Sequence, residues 1–185
     1  MPVINDAFIR LWEPQYDEIE TDQEDYKQIL SAVAADVAQI GTLTKRTFLR
    51  ILHWKAPRLK GIVRLGEFES YAARLKESLA APEDKKLPLL DDMYGIGAPL
   101  ASTILHFVYP DTFPIIDVRT VETLHHAGLI TFTQKDQKRY PAFRAAILRI
   151  ATNCPGWSLR QIDKALFAYH KRRLKPRTKC RTRSA

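Results

Sequence analysis

Cysteine is scarce: Cys154 and Cys180 are the only two in 185 residues. They stand far apart with no C-x-x-C spacing. That disfavours a disulfide framework, a structural zinc site and a four-cysteine iron–sulfur cluster, and it suits a reducing compartment. Long hydrophobic runs are missing too. No window holds the roughly 18 apolar residues needed to span a bilayer, and Met1 to Glu20 is acidic and aromatic, unlike the basic-then-apolar start of a secretory leader. Neither a membrane partner nor a metal or other cofactor is expected. The expected location is the cytoplasm, on the nucleoid if the source is prokaryotic.

Acid is lacking at one end of the chain. The net charge is +8 with a pI near 9.6, but residues 1–40 carry nine acids against two bases, whereas residues 171–185 carry eight bases and no acid. A basic body with a basic tail attracts polyanions, and nucleic acid is the commonest of these. The bland alternative is a solvated basic surface.

No convincing run of alternating strand pattern occurs, and helical periodicity dominates. One all-α domain over residues 1–170 is expected, with about eight helices in two packed lobes, as a monomer. Asp22 to Ile40 aligns Tyr26, Ile29, Leu30, Val33, Val37 and Ile40 before Gly41 stops it. Thr44 to Ala56 ends at Pro57, and a third helix is predicted from Gly66 to Leu79, followed by a polar loop over Ala81 to Lys86. Leu87 to Met93 and Ala98 to Tyr109 read as two helices joined by Tyr94-Gly95-Ile96-Gly97. Asp117 then precedes a helix over Val118 to His126. The last two helices begin near Pro141 and at the Ser158 capping box. From His170 onward apolar residues nearly vanish, so 171–185 is expected to be a mobile basic arm that either tracks phosphates or merely solubilises.

The two-helix segment 87–109 is the most informative. Glycines on either side of Ile96 permit a sharp turn, while Ile96 can sit between the helices and small residues at Ala98 and Ala101 allow close packing. The bare amides of Gly97 and its neighbours at a helix start can face a phosphate. A simple helix-turn-helix connection is the plainer alternative for a lone G-x-G. The wider pattern, from Leu90 through Gly95-Ile96-Gly97 to Ile115-Ile116-Asp117, resembles the helix-hairpin-helix DNA glycosylase superfamily. That resemblance implies duplex DNA as partner, a hairpin contact through Gly95, Ile96, Gly97 and Ala98, and a catalytic carboxylate at Asp117. It also implies a monofunctional enzyme, because Pro99 stands where bifunctional members carry a lysine, and the cluster cysteines of other members are missing. Val118 and Arg119 replace the usual threonine and histidine.

Under the resemblance, Asp117 stabilises positive charge on the deoxyribose as the base leaves, or activates the attacking water, once the nucleotide has been flipped out of the duplex. An aspartate just before a helix is equally a favoured N-cap, and the two roles are compatible. His53, Trp54, Lys55 and Arg58 are the candidate base pocket, against the plainer reading of a packed tryptophan flanked by solvated charges. Arg119 is placed to contact a phosphate or to pair with an acid. His125 and His126 point about 100° apart on a helix and do not make a two-histidine metal site. Trp157 is expected to pack beside the last helix. Two rivals to the enzyme remain open: a DNA-binding hairpin module without catalysis, and a helical interaction protein whose acidic N-terminus meets a basic partner.

Overall fold

A computed structural model describes residues 1–57 and 68–174, and over these the chain is all helical, with no strand. The helices are α1 (Asp6–Trp12), α2 (Gln23–Ile40), α3 (Lys45–Lys55), α4 (Phe68–Ala80), α5 (Glu83–Asp91), α6 (Ala98–Val108), α7 (Val118–His126), α8 (Tyr140–Asn153) and α9 (Leu159–Tyr169). A short 3-10 helix at Pro14–Tyr16 follows α1, and a π-helical turn at His170–Leu174 continues α9. No helix among the described residues is long and apolar enough to cross a membrane.

Sequence signals set most of these boundaries. Thr44 caps α3 by accepting the Thr47 amide, Gly41 ends α2 in the left-handed conformation (φ +66°), and Ser158 and Gln161 form the reciprocal capping box of α9. Three expectations need correction. Helix α1 has no counterpart among the expected helices; it is only seven residues long, capped by Asn5 and held by Phe8, Ile9 and Trp12 against α9. The polar stretch 81–86 is not a loop, because α5 already starts at Glu83. Pro82 precedes it, Glu83 and Asp84 favour the positive end of its dipole, and Ser78 Oγ donates to the Lys86 carbonyl. The basic segment does not become a free arm at His170. That side chain is buried, its Nε2 is 2.5 Å from Glu122, and the π-helical turn packs on α7. Residues 175–185, the rest of the expected arm, lie outside the described residues, as does Gly66.

Packing is organised by α6 and α9. Helix α6 is buried almost all round and sits against α2, α3 and α5, while α9 contacts α1, α7 and α8. One contiguous apolar cluster links the two, with Phe107 meeting both Tyr26 and Trp54. Charge follows the same plan. Glu13, Asp17, Glu18 and Asp22 from the acidic N-terminal segment pair with Lys164, Arg172 and Arg160 of the C-terminal helical segment. Part of the positive charge in the C-terminal half is therefore satisfied inside the molecule.

Candidate functional site

The turn between α5 and α6 is tight. Met93 and Ile96 donate their amides to the Leu90 and Met93 carbonyls, Gly95 has φ +77°, and Ile96 is buried between the helices while Gly97 is exposed as the N-cap of α6. Ala98 and Ala101 are buried and let α5 approach. Tyr71 Oη braces the turn from α4 by donating to the Tyr94 carbonyl at 2.9 Å.

Helix α6 also anchors the extended run between Phe113 and Asp117. Ser102, one turn into α6, accepts the Ile116 amide at 3.1 Å, and Tyr140 Oη donates to the Pro114 carbonyl at 3.0 Å. His106 Nδ1 lies 2.9 Å from the Phe113 carbonyl and its Nε2 2.8 Å from Tyr26 Oη. A ring that donates at Nδ1 and accepts at Nε2 is neutral, and burial accordingly lowers the His106 pKa to about 4. This extended run delivers Asp117 to the start of α7.

There Asp117 is the N-cap: Oδ1 accepts the Arg119 amide at 3.0 Å, and Thr120 Oγ1 completes the capping box. Its Oδ2 meets Lys55 Nζ at 3.2 Å, with side-chain exposures of only 18% and 16%. Arg119 Nη1 reaches Oδ1 at 3.4 Å. Burial alone would raise the Asp117 carboxyl, but the Lys55 ammonium, the Arg119 amide and the Arg119 guanidinium outweigh it and hold the pKa below the usual aspartate value. The group is an anion at neutral pH.

Asp117 opens onto a cavity of about 210 Å³ lined by Tyr16, Trp54, Lys55, Arg119, Arg160, Asp163 and Phe167, among others. Its size lies below the ~300–1,000 Å³ typical of sites for drug-sized ligands, which suits a guest of one or two rings. Arg160 organises one side. It donates to Asp163 at 2.6 Å, to Tyr16 Oη at 2.9 Å and to Asp22 at 3.1 Å, and its guanidinium lies about 5 Å from the ring centres of Tyr16, Tyr26 and Trp54. Asp22, Trp54 and Arg160 each keep one buried polar atom without a partner, three of five such atoms among the described residues. Unmet hydrogen-bonding capacity is thus concentrated at this cavity.

Trp54 and Lys55 therefore share the cavity with Asp117 and Arg119. His53 does not: it is exposed and lines an 810 Å³ groove with Lys45, Arg46, Leu49 and Arg50, and Trp54 borders both that groove and the Asp117 cavity. Arg58 lies outside the described residues. Trp157, just before the Ser158 cap of α9, donates its indole N–H to Asp6 of α1 at 2.7 Å. Sequence reading missed Tyr16, Asp22, Arg160, Asp163 and Phe167. The available signal was the pair Arg160 and Asp163, three apart in a helix whose neighbours Leu159, Ile162, Ala165 and Leu166 are all apolar. Charges interleaved with such a broad apolar face must be buried and paired. No family model matches the chain, and no curated protein or solved structure shows a significant match to it.

Proposed function

We propose that this protein is a helix-hairpin-helix DNA glycosylase, which binds duplex DNA and hydrolyses the N-glycosidic bond of a damaged or modified base with Asp117 as its catalytic carboxylate. One observation carries the reading. A half-buried, ionised Asp117 caps α7 with one oxygen, meets Lys55 with the other, and lines an aromatic-walled cavity of nucleobase scale.

In this reading the target base is flipped into the cavity beside Trp54 and Phe167. The Asp117 anion then faces the sugar, where positive charge develops as the base departs, or it orients the attacking water. Lys55 and Arg119 hold the carboxylate ionised, and the capped α7 fixes its position. The amides of Gly97 and Ala98, at the start of α6, take a phosphate without reading sequence.

Asp117→Asn separates charge from structure, because asparagine caps a helix about as well as aspartate. Duplexes carrying modified bases, treated with protein and then alkali, should show strand breaks with the native protein. The variant should lose these breaks while keeping duplex affinity and a cooperative thermal transition, lowered only by the loss of the Lys55 ion pair. Equal breakage by both proteins would end the proposal.

A non-catalytic DNA-binding hairpin is the second reading, favoured by the fact that both Asp117 oxygens already have partners. It predicts salt-sensitive duplex binding with no base release from any substrate. The third reading, an acidic N-terminus that recruits a basic partner, is weakened because those acids already meet Arg160, Lys164 and Arg172 of the same chain.

A further inference from the structure

The groove of about 810 Å³ between α2 and α3 has no part in the chemistry argued above. Ile29, Leu49 and Trp54 give it an apolar floor, and Lys45, Arg46 and Arg50 line it from α3. The two helices run antiparallel, because Thr44 at the start of α3 donates to Asp36 at 2.8 Å while Arg50 donates to Gln28 at 2.9 Å. Lys45 and Arg46 therefore mark one end of the groove, and Asp25 and His53 the other. Asp25 is the one acid among the described residues that line it. Lys45 and Arg46 are exposed, and neither meets an ion-pair partner among the described residues. They hold the first two positions of α3, where a helix dipole disfavours positive charge, so the fold gains nothing from them there.

Charge and floor together select an occupant. The segments outside the described residues have the wrong sign: 58–67 carries Arg58, Lys60 and Arg64 against Glu67 alone, and 175–185 carries no acid. The same groove on a second copy is repelled for the same reason. Nucleic acid would satisfy the cations but not the floor. Ile29 and Leu49 are aliphatic, and the Trp54 ring is already met by Arg160 at 5.1 Å and by Phe107 at 5.3 Å, which leaves the bases no open aromatic face there. Aliphatic side chains flanked by carboxylates satisfy both features.

We infer that the α2–α3 groove is a docking site for an acidic amphipathic helix of another protein, its aliphatic side chains set against Ile29 and Leu49 and its carboxylates toward Lys45, Arg46 and Arg50. The docking site stands apart from the glycosylase reading. Where both hold, the partner helix and the DNA backbone compete for Lys45 and Arg46.

The test uses the full chain and two synthetic helical peptides, one with a leucine face flanked by glutamates and one with lysines in place of those glutamates. In fluorescence anisotropy at physiological ionic strength, the native protein should bind the glutamate peptide and not the lysine peptide. Lys45→Glu/Arg46→Glu should weaken the glutamate peptide about tenfold or more and should now bind the lysine peptide. Acids are favoured in the first turn of a helix, so this variant should fold. Leu49→Gln leaves every charge in place and should also weaken the glutamate peptide about tenfold. The charge exchange decides the matter even if Leu49→Gln does not fold. A glutamate peptide that fails to bind, or that binds a folded Leu49→Gln as tightly as the native protein, overturns the proposal. Loss of duplex affinity in Lys45→Glu/Arg46→Glu with no binding of either peptide makes the groove a nucleic-acid contact and overturns it too. A native protein that sediments as a dimer, and as a monomer after the charge reversal, replaces the partner with a second copy and does the same.

Discussion

His106 ties acid sensitivity to the segment that positions Asp117. Its ring is almost fully buried in α6, with Nδ1–H directed at the Phe113 carbonyl and Nε2 accepting from Tyr26, so a second proton would add a charge to a buried site and force the Tyr26 hydroxyl to turn from donor to acceptor. Burial is the main cause of the lowered pKa, about 4 against a reference of 6.5, with the cations of Arg160 and Lys55 adding to it and the Phe113 carbonyl opposing. The folded value lies below the unfolded one, so the neutral form is the one the fold favours. Stability from this residue is complete above pH 6.5 and is lost as pH falls toward 4. Two and a half pH units at ~1.4 kcal/mol each, reduced a little near the folded pKa, give about 3 kcal/mol.

Urea unfolding between pH 7.5 and 4.5 should show this loss, and His106→Gln, which keeps a donor and an acceptor but does not titrate, should flatten it. Subtracting one profile from the other isolates His106. Asp91 and Asp163, whose carboxyls burial raises, gain stability as pH falls and are common to both proteins. A native protein equally stable at pH 7.5 and 4.5, or a slope undiminished in His106→Gln, would refute the assignment of a neutral buried ring.

Two further perturbations probe the cavity and the turn. Arg160→Met leaves Asp163 and Asp22 without their partner and should cost about 3–5 kcal/mol in urea unfolding, whereas the Arg160→Met/Asp163→Leu double variant should recover most of it. Gly95→Ala forces a side chain into φ +77° and should lower stability by about 1–2 kcal/mol in thermal melts, with a parallel fall in duplex affinity if the turn contacts phosphate.

Elements with local signals are legible in the sequence. Caps at Thr44, Asp117 and Ser158, the stop at Gly41 and the glycines of the α5–α6 turn act within a few residues of themselves, and each falls where the sequence puts it. The start of α5 is obscured because Pro82 reads as a breaker when it serves as the residue before the first turn. Helix α1 has too few residues to show a period; it exists because α9 offers it an apolar surface. The cavity is half legible. Trp54, Lys55 and Asp117 stand in segments whose chemistry attracts attention, but Tyr16 and Arg160 are 144 residues apart and meet only through tertiary packing. Periodicity alone carries no information about such a pair.

The charge of the cavity bears on what it can hold. Among the described residues Glu20, Asp22, Asp117 and Asp163 line it with Lys55, Arg119 and Arg160, four carboxyl groups beside three cations. A phosphate placed there would meet an excess of like charge in a partly dry site, where repulsion is poorly screened. A neutral base that leaves a positively polarised sugar behind meets the opposite: the surplus anion becomes more useful as the bond breaks. In the proposed enzyme phosphates are then held elsewhere, and the α6 N-terminus and the exposed Lys45 and Arg46 on α3 are among the described groups that do not pair with the N-terminal acids. In the proposed enzyme this division separates two demands that conflict at a single site. Affinity for the backbone needs positive charge, while departure of the base needs a carboxylate, and the run from Ser102 to Asp117 is the short rigid link that holds the two at a fixed separation.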